Sequence, residues 1–181
     1  PDVRVAGKGI ELLEHAGIKV YLGLCEKESL ELNKSFIHRN IKGTSYGVLK
    51  WAMSLDGRLG LKNGDSKWIT NKTSRSLVHK LRAEFDAIVV GGNTLRMDNP
   101  LLTSRGIKNP EPLRVVFTKT LNLPSRSNLW DTNISNTIII YDSSSANEEN
   151  LKRIPNDILI EKVPSDNPLH VSKILAKKGC N

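Results

Sequence analysis

The sequence is poor in cysteine and in aromatic residues, and it has no long apolar run. Only two of its 181 residues are cysteine, Cys25 and Cys180, and aromatic residues make up 5%. Neither cysteine belongs to a CxxC pair, so no cysteine zinc site is predicted and a reducing, cytoplasmic setting is expected. No apolar run approaches the roughly 20 residues that cross a bilayer, and no signal-peptide pattern follows Pro1. We therefore predict no metal site and no membrane partner.

Positive charge, by contrast, is in excess. Lysine and arginine number 27 against 19 acidic residues, which gives a net charge of +8. Such an excess suits an anionic small molecule, and it also suits nonspecific contact with nucleic acid. However, the basic residues are scattered, and aromatic side chains that could stack on bases are few. No nucleic-acid partner is predicted, although a basic nucleic-acid binder stays a rival hypothesis.

Strand and helix patterns alternate along most of the chain. Before residue 46, apolar periodicity predicts a helix, a strand, a second helix and a linker, at residues 8–16, 18–24, 26–39 and 40–45. Further strands are predicted at residues 48–55, 87–90, 113–118, 137–141 and 158–161, and further helices at 73–83, 94–97 and 171–178. This alternation is typical of an α/β protein whose sheet is largely parallel.

The predicted strand 48–55 has two different faces. The apolar face carries Leu49, Trp51, Met53 and Leu55 and is suited to a core. The other face carries Lys50, Ala52 and Ser54. A lysine within a strand is costly unless it meets solvent or an anion. Two interpretations follow: an edge strand with a solvent-facing lysine, or a cleft in which Lys50 reaches substrate oxygens and Ala52 leaves room for a flat ring.

A glycine turn is the next chemical signal. Gly91 and Gly92 lie between the predicted strand 87–90 and a helix, where backbone N–H groups can face a phosphate. The turn is not the GxGxxG fingerprint. For two other residues a purely structural role stays open beside a functional one. Trp68 suits a core as well as a ring-stacking surface. In the same way, Arg82 suits the dipole at the end of its helix.

Four motifs together resemble the reductase domain of the bifunctional riboflavin-biosynthesis deaminase–reductase, whose fold is similar to dihydrofolate reductase. They are KWAMSLDG from Lys50, GDSKWIT from Gly64, LRAE from Leu81 and DNPLLT from Asp98. VAGKGI from Val5 and AGI from Ala16 resemble the end of the family's deaminase domain. The resemblance implies a remnant of a cytidine-deaminase-like α/β domain at residues 1–43. It also implies a reductase domain at residues 44–181, with a mixed, mostly parallel sheet flanked by helices and incomplete at its C-terminus.

By the same resemblance, NADPH reduces 5-amino-6-(5-phosphoribosylamino)uracil to 5-amino-6-(5-phosphoribitylamino)uracil by hydride transfer to ribose C1. Lys50 is implied as the catalytic residue. The implied substrate residues are Ser66, Arg82, Leu102 and Arg105, and the two arginines suit bidentate contact with phosphate. The implied NADPH residues are Ala52, Trp68, Thr94 and Asp98, with Thr118 as a weaker candidate.

Deamination in that family requires a zinc site with a His-Ala-Glu motif and a pair of cysteines. These motifs are absent from the present sequence, so zinc and deamination are expected only in a further part of a longer parent. A homo-oligomer, with a dimer favoured, is expected because an incomplete sheet exposes its edges. The alternatives to an active reductase are a catalytically incomplete fragment and a non-catalytic nucleotide-binding relative.

Overall fold

The computed structural model describes residues 2–62 and 64–181. Its helices are α1 Lys8–His15, α2 Glu26–Leu32, α3 Lys34–Lys42, α4 Lys72–Glu84, α5 Gly92–Asp98 and α6 Pro168–Lys177. Its strands are β1 Ala87–Gly91, β2 Leu113–Thr118, β3 Thr137–Asp142 and β4 Leu159–Val163. Two short 3₁₀ helices cover Asn128–Trp130 and Glu148–Arg153. No helix in the described part of the chain is both long and apolar enough to cross a membrane.

The four strands form one parallel sheet in the order β1-β2-β3-β4. Burial is greatest in its two central strands, where Val115, Val116 and Ile138–Ile140 are fully buried. Continuous runs of β-branched residues of this kind are characteristic of parallel strands covered on both faces. The prediction of an α/β fold with a parallel sheet and flanking helices is confirmed.

Contacts divide the chain into two compact units. The first contains the residues up to Gly47 together with Ser172–Asn181, and the second contains Val48–Val171. In the first unit, the Ser45 N–H donates to the Ser172 carbonyl at 3.2 Å, and the Ser172 hydroxyl donates back to the Ser45 carbonyl at 2.9 Å. The predicted domain boundary after residue 43 stays a prediction. Every residue discussed below as part of a site belongs to the second unit.

Two predicted strands are wrong. Residues 18–24 and 48–55 form no strand, and the apolar side chains of the second segment are exposed. Leu49 is 82% exposed and Trp51 53% exposed, where a core face was expected. An alternating pattern becomes a strand only when another strand supplies its hydrogen-bond partners. The pattern within these two segments could not show whether such a partner exists.

Several helices have bounds that differ from the predicted ones. The predicted helix 26–39 is two helices separated at Asn33, and α3 continues to Lys42 through part of the predicted linker. The predicted helix 73–83 is α4, which begins after the N-cap Asn71, whose side chain accepts from the Ser74 N–H at 2.9 Å. No residue of α4 is fully buried.

Candidate functional site

Three of the predicted cofactor residues lie on elements that meet at one edge of the sheet. Because β1 and β2 are parallel, their carboxyl ends meet at this edge, where α5 follows β1 directly and Thr118 ends β2. Thr94 and Asp98 lie four residues apart on α5 and therefore share a face. Thr118 is 5% exposed, Thr94 is half-buried and Asp98 is exposed. Ligands of open α/β sheets bind at this edge, so these polar groups suit a bound nucleotide.

Gly92 packs closely against Thr118. A Cβ atom at Gly92 would lie 2.9 Å from Thr118 Oγ1, 3.1 Å from Thr118 Cβ and 3.3 Å from Leu123 Cδ2. Gly92 is buried at the start of α5, and no wider residue fits there unless Thr118 moves. The second glycine of the predicted phosphate-facing turn is therefore explained by packing of α5 against β2.

Replacing Gly92 by alanine is expected to lower the free energy of unfolding by about 1–3 kcal/mol, because the added methyl overpacks the contact with Thr118. Denaturant unfolding of the full-length protein would measure the loss. Gly91→Ala is the matched control, since a Cβ atom there meets nothing within 4 Å. Equal stability of the two variants would contradict the packing role of Gly92.

A cleft of about 390 Å³ lies along the segment that contains the GDSKWIT motif. It is lined by Ser66 and Trp68 together with Ser54, Asp56, Arg58, Gly60, Leu61, Asp65, Lys67 and Ile69. Trp68 is 70% exposed, and the Arg75 guanidinium carbon lies 4.3 Å from the centre of its ring. The core interpretation of Trp68 is therefore wrong, and its indole is available to a ligand.

The turn beside this cleft is closed by Asp56. Its carboxylate accepts from the Ser54 hydroxyl at 2.5 Å and from Arg58 Nε at 2.9 Å. Both bonds lower the pKa of Asp56, the one from Ser54 more. These contacts are those of a turn-forming aspartate.

Lys50 and Ala52 precede this turn in an extended segment that pairs with no described strand. Lys50 is exposed, Ala52 is half-buried, and neither lines the cleft. The structure thus brings together Ser66 and Trp68, and separately Thr94, Asp98 and Thr118. It does not place Lys50 against either group.

Arg82 and Arg105 lie within electrostatic reach of each other. Arg82 is half-buried on α4, and its Nη1 donates to the Thr103 carbonyl at 3.3 Å. Burial and the nearby charge of Arg105 both lower the pKa of Arg82, burial being the larger cause. Two guanidinium groups close enough to influence each other repel, and a bound anion would relieve that repulsion. The helix-dipole interpretation of Arg82 does not account for its contact with the loop after α5.

His79 lies within reach of the charges of both arginines, although none of the sequence motifs points to it. Burial lowers the pKa of His79, and the charges of Arg105 and Arg82 lower it further. His79 precedes Arg82 by three residues on α4, and residues three apart share a helix face. That spacing was the signal that could have identified it.

Leu102 and Asn99 lie in the loop between the predicted cofactor residue Asp98 and the predicted substrate residue Arg105. Leu102 has φ 53° and is 3% exposed within the core, so only its backbone can meet a ligand. Asn99 ends α5 in the left-handed conformation, and its Oδ1 accepts from the Asn128 N–H at 2.8 Å and from the Ser127 hydroxyl at 3.0 Å. The DNPLLT motif is thus tied to the segment that precedes β3.

Among the residues that the structure describes, no group of three or more histidine, cysteine, aspartate or glutamate side chains could hold a metal ion. A second cleft of about 430 Å³ contains none of the predicted site residues. It is lined by Arg96, Asn122, Leu123, Pro124, Ser125 and Arg153.

Comparison with known proteins identifies relatives over nearly the whole chain. The RibD protein of Synechocystis is 36% identical over 99% of this chain, and that of Aquifex aeolicus is 39% identical over 90%. The chain covers 49% and 46% of these relatives, about half of their length. The chloroplastic PYRR protein of Arabidopsis thaliana is 43% identical over 77% of this chain.

Solved structures agree. A deaminase/5-amino-6-(5-phosphoribosylamino)uracil reductase from Thermotoga maritima is similar with a TM-score of 0.80 and 30% identity over 99% of this chain and 49% of its own. RibD from Acinetobacter baumannii gives a TM-score of 0.82 at 28% identity over the same shares of the two chains. Residues 45–181 match the family model of the RibD C-terminal domain. On this evidence the chain belongs to the RibD family of riboflavin-biosynthesis proteins, and residues 45–181 form its C-terminal, reductase-type domain.

Proposed function

We propose that this chain carries the NADPH-dependent reduction of 5-amino-6-(5-phosphoribosylamino)uracil to its ribitylamino product. Family membership supports an oxidoreductase of riboflavin biosynthesis. The observation that carries the finer assignment is that Arg82 donates to the Thr103 carbonyl, two residues before Arg105, and that the charge of Arg105 lowers the pKa of Arg82. A sugar phosphate is the anion that such a pair accommodates with bidentate hydrogen bonds.

The polar groups present fit the cofactor. Thr94, Asp98 and Thr118 lie at the carboxyl edge of β1 and β2, where a dinucleotide binds in open α/β sheets. The exposed indole of Trp68 and the small side chain of Ala52 offer flat or open surfaces to a ring. When bound, NADPH supplies the hydride.

In the proposed reaction, Arg82 and Arg105 hold the phosphate, and Ser66 donates a hydrogen bond to the substrate. The backbone of Leu102 borders the same molecule. Hydride addition at ribose C1 breaks the bond to the ring oxygen, whose electron pair then takes a proton. Lys50 donates that proton or polarises the oxygen. One proton and one hydride are consumed, and the ring-opened ribityl group results.

Removing either arginine tests the phosphate assignment. Arg82→Ala and Arg105→Ala are each expected to raise KM for the phosphorylated substrate about 10- to 100-fold in the full-length protein, since each removes charge-assisted hydrogen bonds. KM for NADPH should stay unchanged. Arg105→Lys should give an intermediate loss, because an ammonium group keeps the charge without the planar fork. Steady-state rates from NADPH absorbance give both constants.

Arg153→Ala is the control, because Arg153 is exposed and belongs to the other cleft. The phosphate assignment fails if the arginine variants lose as much with a substrate that lacks the phosphate. NADPH binding without turnover in the full-length wild type would instead support the non-catalytic relative.

We propose further that residues 1–43 are the end of a deaminase domain, with its zinc site in another part of a longer protein. The Thermotoga maritima relative, whose described activities include deamination, is about twice as long as the match. The assignment fails if the sequence encoded upstream lacks the His-Ala-Glu and cysteine ligands.

A further inference from the structure

Glu111 is bonded to the loop that carries Arg105. Its Oε2 accepts from the Ser104 N–H at 2.5 Å, and its Oε1 accepts from the Gly106 N–H at 2.7 Å. These two N–H groups flank Arg105 in the chain. One carboxylate therefore holds the backbone on both sides of a predicted substrate residue.

Arg105 has a backbone conformation that needs such support. Its φ is 60°, in the left-handed region, and Gly106 follows with φ 78°. A residue with a side chain is disfavoured in that region. Ser104 is fully buried, and its hydroxyl accepts from the Lys108 N–H at 3.0 Å. Hydrogen bonds from the carboxylate to Ser104 and Gly106 are charge-assisted and can offset the conformational cost.

The carboxylate of Glu111 accepts hydrogen bonds from backbone N–H groups. Burial raises the pKa of Glu111, but the N–H groups of Gly106 and Ser104 lower it, and the net direction is downward. Its charge is felt at His79, where it raises the pKa against the larger effects of burial and the two arginines. An ionised carboxylate so near would compete with a phosphate if it bonded the guanidinium groups. Each of its oxygens accepts instead from a backbone N–H.

We propose that Glu111 is a positioning residue for anion binding: it holds Arg105 in its left-handed conformation, while backbone N–H groups take up its own charge. The inference rests on the proposed function in taking the anion to be the substrate phosphate. The two hydrogen bonds that Glu111 accepts from the Ser104 and Gly106 amides, called the clasp below, do not depend on that assumption. They can be tested without turnover.

Glu111→Gln is the informative variant. Glutamine keeps the size of the side chain, but its NH₂ group would oppose one of the two N–H donors, so one hydrogen bond is lost. In the full-length protein, KM for the phosphorylated substrate is expected to rise about 3- to 10-fold, with kcat and KM for NADPH unchanged. Glu149→Gln, which removes the same charge from an exposed residue of the 3₁₀ helix Glu148–Arg153, should change none of these constants.

A double-mutant cycle separates positioning from general loss of structure. If Glu111 acts through Arg105, Glu111→Gln should have no further effect on KM in an Arg105→Ala background. Independent, multiplying effects of the two substitutions would overturn the proposal. An equal rise in KM with a substrate that lacks the phosphate would overturn it as well.

Hydrogen exchange distinguishes failure of the clasp from failure of the proposed function. The Ser104 and Gly106 amides should be protected in the wild type and in Glu149→Gln, and at least one should lose protection in Glu111→Gln. Unchanged protection in Glu111→Gln would overturn the clasp, whatever the enzyme does. If the wild type shows no turnover, the proposed function fails. Calorimetry with inorganic phosphate then tests the positioning role of Glu111 by itself. Weaker phosphate binding by Glu111→Gln than by wild type supports positioning, and equal binding overturns it.

Discussion

Replacing Lys50 by alanine is expected to lower kcat about 10²- to 10⁴-fold, the usual contribution of a general acid. KM for NADPH and for the substrate should change little, since the phosphate and the cofactor are held by other side chains in the proposed site. Lys50 is exposed in a segment that pairs with no described strand, so its loss should leave the fold intact. NADPH consumption at saturating substrate measures the effect.

The exposed Lys80 of α4 provides the matched control. Lys80→Ala removes the same charge and should retain the wild-type rate. Full turnover by Lys50→Ala would remove Lys50 from the mechanism and leave proton donation to another group. A loss of NADPH binding in Lys50→Ala would also contradict the assignment, because it would indicate a role in the cofactor site.

The second large effect is expected from Arg114, which is fully buried on β2. Its Nη2 donates to the carbonyls of Leu129, Asp131 and Ser135 at 3.1, 2.8 and 2.5 Å, and Nη1 donates to that of Asn128 at 3.3 Å. Burial lowers the pKa of Arg114. A single side chain thus satisfies four backbone acceptors in the segment before β3.

Arg114→Ala is expected to lower the free energy of unfolding by about 3–5 kcal/mol, because it leaves a cavity and removes the guanidinium donor from four backbone carbonyls. Arg114→Met should recover only the part of the lost free energy of unfolding that is due to the volume of the side chain. Denaturant unfolding of the full-length protein measures both.

Arg126 is exposed in the connection between β2 and β3. Arg126→Ala should change the free energy of unfolding by no more than about 0.5 kcal/mol. Because Asn128 is bonded to both Arg114 and Asn99, loosening this segment should also raise KM through the DNPLLT loop. A stable Arg114→Ala variant would show that solvent replaces the guanidinium.

The elements predicted most accurately were those with a strong local signal. β2 has the predicted bounds, and β1 and β3 each extend one residue beyond theirs. Their continuous β-branched runs are favoured in buried parallel strands wherever they occur. Residues 48–55 have an equally regular pattern, yet they form no strand, because strand formation depends on a partner that periodicity does not reveal.

The candidate site divides in the same way. Comparison confirmed the family. The sequence indicated the types of chemistry, since Lys50 and Arg82 stand in motifs that resemble that family and Arg105 follows the DNPLLT motif. Their assigned roles stay predictions. The sequence could not identify Glu111 as a site residue. The role proposed for Glu111 follows from its hydrogen bonds to two amides that lie five and seven residues before it.

By itself, the sequence determined the family and the parallel α/β fold, because these depend on residue types and their local order. Only the tertiary structure decided that Arg82 of α4 donates to the Thr103 carbonyl of a distant loop and that Trp68 is exposed. It also decided that Glu111 is bonded to the backbone. Such contacts depend on how chain segments pack in space, and burial and hydrogen bonding between them leave no periodic signal in the sequence.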